Sequence, residues 1–196
     1  MSDVVISPGN SKLGNIPNVS LTPVISCGSF CDCRSKLCYA KRVYARYPSV
    51  RKAWDNNLTL AITDQFHYFY CISDWFKAKR PKHFRWHVGG DILGQGYLES
   101  MFVIAQDNPG TKFLCFTKRY RLDYGNKPDN LNIVFSAWPQ FPLVRSHLAR
   151  SFPVAWMQDG TETRIPDSAK ECPGKCHDCH ECWNLKPGES VFFHKH

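Results

Sequence analysis

Two short cysteine-rich segments constrain this chain more than any other feature of its sequence. Eight of its ten cysteines lie in an N-terminal cysteine motif, residues 27–38, and a C-terminal cysteine motif, residues 172–182. Thiols at such short spacings cannot all pair with one another, because a disulfide needs Cα atoms roughly 4.4–6.8 Å apart with suitably directed Cβ atoms. They are able to converge on a metal. We therefore predict a scaffold that holds two metal-binding loops, with disulfides as the weaker alternative.

The composition indicates a single globular domain over residues 1–196. Hydrophobic residues make up 43% of the chain and aromatic residues 14%, which excludes a disordered class. The first residues lack the basic and apolar segments of a signal peptide, and no apolar run reaches the roughly 18 residues of a membrane span. We therefore predict a cytoplasmic protein without membrane contact, in a reducing compartment where dense cysteines favour metal binding.

The formal net charge is +8 at pH 7, which is moderately basic. Such a charge favours an anionic partner, either nucleic acid or an acidic surface on another protein. A basic surface without a specific partner is the alternative that the sequence leaves open.

Stretches with a strand pattern alternate with stretches of helical periodicity along most of the chain. Residues 1–18 are rich in Gly, Pro, Asn and Ser and are predicted to form an extended arm. The aromatic series in residues 65–79 is interpreted as a helix face buried in the core rather than as a platform for nucleic-acid bases. The predicted strands are Val19–Ser26, His83–Val88, Lys112–Thr117, Asn130–Ser136, Phe152–Met157 and Ser190–His194.

Strands separated by helices are typical of a parallel sheet with crossover connections. The chain is shorter than the roughly 250 residues of a closed eight-stranded barrel. The predicted fold class is therefore α/β, a partial (open) β/α barrel with about five or six mostly parallel strands and cysteine-rich loops near both ends.

The C-terminal motif places four thiols at ligand spacing in one short tract, Cys172, Cys176, Cys179 and Cys182. Zinc sites usually take two separated pairs of ligands, whereas four close cysteines suit the wider sulfur separation of a cubane cluster. The pattern therefore favours a [4Fe–4S] cluster over zinc. His177 and His180 lie inside the tract and keep a mixed Cys/His zinc site open as the alternative.

The N-terminal motif is less regular, with Cys27 and Cys31 separated by three residues, then Cys33, then Cys38 followed by Tyr39-Ala40. Here the chain resembles a phage and prophage family of radical-SAM-like iron–sulfur proteins. Each segment of that family pattern has a counterpart in the same order, so that the resemblance spans nearly the whole chain. The matching segments are Asn10–Pro17, Cys27/Cys31/Cys38-Tyr39-Ala40, Arg85–Asp91, Phe113–Lys118 and Cys172-Pro173 onward.

The resemblance implies that Cys27, Cys31 and Cys38 bind a [4Fe–4S] cluster with one iron left without a protein ligand. S-adenosylmethionine (SAM) would chelate that iron, and an electron from the cluster would cleave it to release a 5′-deoxyadenosyl radical that abstracts hydrogen from a substrate. The last gap is six residues here, whereas the usual radical-SAM signature has two. Cys33 is extra to the family pattern.

Gly89-Gly90-Asp91, at the end of a predicted strand, is similar to the Gly-Gly-Glu element that holds the SAM amino group in that superfamily. Glycines allow a ligand to approach the backbone closely, and a carboxylate pairs with an ammonium. Tyr39, directly after Cys38, is a further cofactor-binding candidate. The alternative for residues 89–91 is an ordinary turn with an N-capping aspartate.

The four C-terminal cysteines would complete the coordination of a second cluster, either an electron relay or a centre that stabilises the fold. A single cluster shared by both motifs is a further arrangement that the sequence leaves open. The resemblance also implies an unknown substrate, a reductant such as a ferredoxin or flavodoxin, and a phage-encoded protein in the host cytoplasm. The rival function is a non-enzymatic protein, held together by zinc or iron–sulfur centres, that binds nucleic acid or a host protein.

Five other residues are weaker candidates. Cys71 and Cys115 lie in aromatic or apolar runs and are expected to be buried core thiols. His87 would face the site or serve as a core histidine. Arg85 and Lys118, at predicted strand ends, would contact an anion or lie in solvent.

Overall fold

The computed structural model describes residues 3–28, 38–139 and 148–194, which form an alternating series of strands and helices. The strands are β1 (Asn18–Val19), β2 (His83–Trp86), β3 (Lys112–Thr117), β4 (Leu131–Ala137), β5 (Val154–Gln158), β6 (Lys170–Glu171) and β7 (Ser190–His194). The helices are α1 (Tyr39–Arg46), α2 (Pro48–Thr63), α3 (Gln65–Lys79), α4 (Gln95–Asp107), α5 (Leu148–Ser151) and α6 (Cys176–Cys179), and a 3₁₀ turn covers Glu181–Trp183.

All strands belong to one open sheet in the order β1-β2-β3-β4-β5-β7-β6, and every pairing is parallel. The predicted α/β class with an open parallel sheet is thus confirmed. The seven strands exceed the predicted number because β6 consists of only two residues, too few for a sequence pattern. The predicted first strand, Val19–Ser26, is also shorter than expected: β1 ends at Val19, and residues 23–27 form turns after Pro23.

The outer face of the sheet packs against helices α2, α3 and α4. Side chains alternate between the two faces of a strand, so every second residue of β2 and β3 points to these helices. The predicted buried face of the aromatic helix is confirmed, since α3 contributes four buried residues at helical spacing while Phe66 and Tyr70 are exposed. Buried members of this outer core include Tyr68, Phe69, Ile72, Phe76, Phe84, Trp86, Phe113, Cys115 and Phe135. Cys115 is thus the buried core thiol predicted, whereas Cys71 is half-buried.

The inner face of the sheet is covered by the two ends of the chain instead of by long helices. Leu13 and Ile16 come from the predicted arm, and Cys176, Trp183 and Leu185 come from the C-terminal cysteine motif and the segment after it. These residues pack on the inner face of the central strands through Leu114, Val134, Ala155 and Val191. No helix in the described part of the chain is long and apolar enough to cross a membrane.

A buried polar chain links the end of β2 to the outer helices. His87 Nε2 lies 3.0 Å from the Tyr97 hydroxyl, which lies 2.9 Å from the Tyr68 hydroxyl. Burial lowers the pKa of His87 from about 6.5 to about 3, because the imidazolium form is poorly solvated there.

The His87 environment leads to a pH prediction. Since the folded pKa lies below the unfolded value, this contribution to stability is complete above pH 6.5 and is lost as the pH falls towards 3. Across that window the free energy of unfolding should fall by up to roughly 4–5 kcal/mol. Urea unfolding of the metal-free protein at several pH values measures it. His87→Gln, which cannot titrate, should flatten the slope; an equal slope in both proteins would assign the acid sensitivity to other groups.

Candidate metal centres at the two cysteine motifs

The N-terminal cysteine motif begins and ends at the carboxyl edge of the parallel sheet. Cys27 and Cys38 are both buried, with 6% and 8% of their surfaces exposed, and they pack in one group with Trp54 and Ala40. Cys27 also lies within electrostatic range of Cys38 and of Asp91 and Lys118, which follow β2 and β3. Burial, more than these charges, raises the pKa of Cys27. Cys31 and Cys33 lie outside the described residues.

The backbone that leads into Cys27 is strained. Val24 has φ +73°, a left-handed conformation that is unusual for a β-branched residue. Ser26 Oγ donates a 2.6 Å hydrogen bond to the Thr22 carbonyl oxygen and so helps to close this turn. Strain of this kind is typical of segments that the surrounding structure holds in place for a functional purpose.

The two glycines after β2 are required by close approaches within the protein. A Cβ at Gly89 would lie 2.4 Å from the Trp54 ring. A Cβ at Gly90, whose φ is +85°, would lie 2.5 Å from Ser26 Oγ. The close contacts that these glycines permit are therefore made to Trp54 and Ser26, and any ligand would meet the backbone of residues 89–90 from another side.

Asp91 is buried and ties the end of β2 to the end of β3. Its Oδ1 accepts hydrogen bonds from Ile92 N at 2.8 Å and Thr117 Oγ1 at 2.6 Å, and its Oδ2 accepts one from Lys118 N at 2.9 Å. Burial raises the pKa of Asp91, and these donors oppose that shift. The carboxylate thus has a structural role in the turn, but the N-capping role in the sequence alternative is wrong, because α4 begins after Gly94 without a side-chain cap. Contact with an ammonium group stays a prediction.

Asp91→Ala should reduce stability and weaken SAM binding without removing iron. The substitution leaves the buried Thr117 hydroxyl and Lys118 N–H without acceptors, at a cost of about 2–4 kcal/mol. Asp123→Ala, in an exposed loop where that carboxylate accepts from Gly125 N, is the matched control. Equilibrium dialysis with SAM and iron analysis measure both effects. Unchanged SAM binding in a folded Asp91→Asn variant would leave residues 89–91 as a structural turn only.

The C-terminal cysteine motif wraps over the inner face of the sheet through β6, α6 and the 3₁₀ turn. Cys172 N donates to the Phe192 carbonyl oxygen at 2.8 Å, and Asn132 Nδ2 donates to the Cys182 carbonyl oxygen at 2.8 Å. Cys176 is buried, Cys172 and Cys182 are half-buried, and Cys179 is exposed. Burial raises the pKa of Cys182 to about 12, and the neighbouring thiols Cys172, Cys176 and Cys179 contribute, so the four sulfurs share one environment.

The C-terminal thiols do not form a preassembled tetrahedral zinc site. In a tetrahedral Zn(Cys)₄ site, Zn–S bonds of about 2.3 Å place the sulfurs about 3.8 Å apart. Among the described residues, only Asp3, His67 and Cys71 form a group of three such ligand atoms within 4.8 Å of one another. No three of the C-terminal thiols lie within 4.8 Å of one another, and the preference for a cubane cluster over zinc rests on the sequence spacing of the four cysteines.

The two histidines of the motif make other contacts. The His180 ring stacks on the His83 ring with centroids 4.3 Å apart. His177 Nδ1 lies 3.4 Å from the Lys12 carbonyl oxygen, and its Nε2 lies 3.4 Å from Asp178 Oδ1. These contacts favour a set of four thiols over the mixed Cys/His alternative.

The predicted arm covers the C-terminal motif, a contact that sequence reasoning missed. Cys176 N donates to the Lys12 carbonyl oxygen at 2.9 Å. A Cβ at Gly14, whose φ is +61°, would lie 2.7 Å from the His177 side chain. The segment Asn10–Pro17 is thus part of the wall of the C-terminal centre. Its glycine and its apolar Leu13 and Ile16 were the available signal, but their partners lie about 100 residues or more away in sequence.

Arg85 and Tyr39 lie between the two motifs. The Tyr39 hydroxyl donates to the Val88 carbonyl oxygen, accepts a side-chain hydrogen bond from Arg85, and interacts electrostatically with both Cys38 and Cys176. The Tyr39 hydroxyl is buried although 41% of the residue is exposed. This burial raises the pKa of Tyr39, whereas the charge of Arg85 opposes the shift. Arg85 also lies within electrostatic range of Cys176 and Cys182. The structure therefore places Tyr39 within electrostatic range of both cysteine motifs and Arg85 within range of the C-terminal one.

Comparison of the chain with protein-family models shows which family it belongs to. The family model Gene product 88 matches residues 6–185 of the chain. The chain belongs to the Gene product 88 family. This is a phage protein family, so the matched segment, which includes both cysteine motifs, supports a bacteriophage origin. Comparison with curated proteins and with solved structures finds no match.

Proposed function

We propose that this Gene product 88 protein is a radical-SAM-like iron–sulfur protein of the host cytoplasm. The observation that carries the proposal is the gathering of four thiols, Cys172, Cys176, Cys179 and Cys182, in one environment on the inner sheet face. The position of Cys27 and Cys38 beside residues that follow β2 and β3 supports it, because ligands of open parallel sheets bind outside the carboxyl ends of the strands.

The donor sets fit two [4Fe–4S] clusters, which supply an electron for reductive SAM cleavage when bound. Cys172, Cys176, Cys179 and Cys182 would hold one cluster completely. Cys27, Cys31 and Cys38 would hold the other with one iron open to SAM.

The chain's own residues would prepare the SAM site. Asp91 fixes the ends of β2 and β3 relative to each other by accepting from Ile92, Thr117 and Lys118. Lys118 provides positive charge near Cys27, which favours thiolates and the carboxylate of SAM. Trp54 and Ala40 pack with Cys27 and Cys38 and exclude water from one side of the site. The substrate and the reductant, a ferredoxin or flavodoxin, would approach from the remaining side.

Metal analysis of the anaerobically purified chain tests the proposal. We expect about eight irons and eight sulfides per chain, a broad absorbance band near ~400 nm, and an EPR signal after dithionite reduction. SAM should bind and yield 5′-deoxyadenosine. About four irons would indicate one cluster, held by one motif or shared by both. Zinc without sulfide would contradict the iron–sulfur proposal and leave the zinc alternative.

A basic surface on α1 favours nucleic-acid binding as a second candidate function. Residues 39–54 contain no acidic residue. A surface groove is lined by Tyr39, Arg42, Val43, Arg46 and Tyr47, and Arg51 and Lys52 at the start of α2 are exposed. Tyr39 and Tyr47 are 41% and 46% exposed, so that aromatic rings and cations alternate as in surfaces that bind single strands.

Salt-dependent binding of a labelled single-stranded oligonucleotide tests this second candidate. Log K should fall linearly with log salt concentration. Arg46→Ala and Lys52→Ala should each reduce the slope by about 0.7, since each removes one phosphate contact. Lys77→Ala, an exposed lysine of α3, should leave it unchanged. Equal slopes in all variants would contradict an α1 binding surface.

A further inference from the structure

Arg85 is a cation buried beneath the C-terminal cysteine motif. Only 8% of its surface is exposed, although arginine is rarely buried without a charged partner. Its guanidinium stacks on the Phe116 ring at 4.8 Å from the centroid. Phe116 in turn packs in the apolar group on the inner face that contains Cys176 and Cys182. A fixed positive charge thus lies within electrostatic range of Cys176 and Cys182.

One donor of this buried cation has no acceptor. Arg85 Nε has no hydrogen-bond partner among the described residues. An unsatisfied buried donor is costly, and it is costlier on a charged group, so native proteins rarely retain one. The other described contact of the guanidinium is with the Tyr39 hydroxyl, which is neutral. Among the described residues no carboxylate forms an ion pair with Arg85, so the nearby thiols, once ionised, would be its negative partners.

We propose that Arg85 is the buried counter-charge of the C-terminal metal centre and, through the Tyr39 hydroxyl, connects that centre to the N-terminal cysteine motif. This inference rests on the proposed binding of a metal by Cys172, Cys176, Cys179 and Cys182. A metal ion or cluster held by four thiolates carries net negative charge in a poorly solvated place. Arg85 supplies the compensating charge and a free N–H for a sulfur, and it stabilises the reduced, more negative state most.

Three variants separate this role from simple packing. Arg85→Met keeps the length of the side chain without charge, Arg85→Gln keeps donors without charge, and Arg85→Lys restores the charge. Arg51→Met, at an exposed arginine of α2, is the matched control. EPR-monitored titration with dithionite as the electron donor gives the midpoint potential of the C-terminal centre. Iron release to a chelator and thermal melting, each with and without metal, give two readouts that are independent of enzyme activity.

The neutral variants should lower the midpoint potential by at least about 59 mV, which is a tenfold change in the equilibrium constant of a one-electron reduction. Iron should be released at least tenfold faster, and Arg85→Lys should recover more than half of both effects. The melting temperature should fall in the loaded protein but not in the metal-free protein, where an unpaired buried charge has been removed. Arg51→Met should change none of these values.

Two results would overturn the assignment. Unchanged potential and iron release in Arg85→Gln would exclude the counter-charge, and so would equal destabilisation of loaded and metal-free protein by Arg85→Met. Wild-type protein that binds no metal at the C-terminal motif would instead contradict the proposed function on which the inference rests. Arg85→Gln decides the matter if Arg85→Met fails to fold, because the amide retains hydrogen-bonding capacity next to Tyr39.

Discussion

Cys182→Ala and Cys176→Ala are expected to remove about half of the bound iron and to reduce the stability of the loaded protein by about 4 kcal/mol or more. Both thiols belong to the apolar group on the inner sheet face, and Asn132 donates to the carbonyl oxygen of Cys182. Metal binding at this motif would therefore join the C-terminal segment and the arm to the sheet. Loss of one ligand would therefore weaken the attachment of both segments to the sheet and expose the contact to water.

Iron and sulfide analysis with thermal melting measures the effect. Cys71→Ala is the matched control, because Cys71 is a half-buried thiol of α3 outside both motifs. Iron loss from Cys71→Ala with full retention by Cys182→Ala would contradict the assignment of the C-terminal ligands. Loss of all iron from either C-terminal variant would indicate a single cluster shared by the two motifs.

Cys27→Ala and Cys38→Ala are expected to abolish the N-terminal centre and SAM binding while the C-terminal centre keeps its iron. Both thiols are buried at the carboxyl edge of the sheet, where they lie within electrostatic range of each other. Because an open-iron cluster has only three protein ligands, loss of one should reduce its iron below detection rather than partially. EPR after reduction, with and without SAM, distinguishes the two centres.

Cys31→Ala should behave like Cys27→Ala, and Cys33→Ala is the control that should retain both centres. Iron loss from Cys33→Ala with none from Cys38→Ala would replace Cys38 by Cys33 in the ligand set. If the EPR spectrum of the reduced wild-type protein is the same with and without SAM, the result would contradict SAM binding at the N-terminal centre and leave electron transfer as its function.

The local features of the fold were predictable because short periodic patterns of residues indicate helices and strands. The aromatic series of α3 indicated a buried helix face, and Phe69 and Phe76 are buried, although Phe66 and Tyr70 of the same series are exposed. The alternation of strands and helices indicated a parallel sheet with crossovers, which the order of β1 to β5 confirms. The spacing of the C-terminal cysteines indicated four thiols in one place, and the structure brings them together.

Tertiary structure decided which contacts the residues in those patterns make. Gly89 and Gly90 suggested an approach by a ligand, yet their missing Cβ atoms make room for Trp54 and Ser26. The two-residue strand β6 exists only because β7 offers it a partner. Such contacts join residues that are far apart in sequence, and no local pattern carries them.

Arg85 gives the clearest contrast between the two kinds of information. In the sequence it is one of 25 basic residues at a strand end, and solvent exposure is the usual fate of such a side chain. In the fold, strand alternation turns it to the inner face, where the arm and the C-terminal motif bury it beside Phe116. Sequence by itself therefore determined the two cysteine motifs and the alternating fold. The packing of both chain ends onto one sheet face is a long-range consequence of burying apolar surface. This packing decided that Arg85 is the charge that lies near the C-terminal thiols.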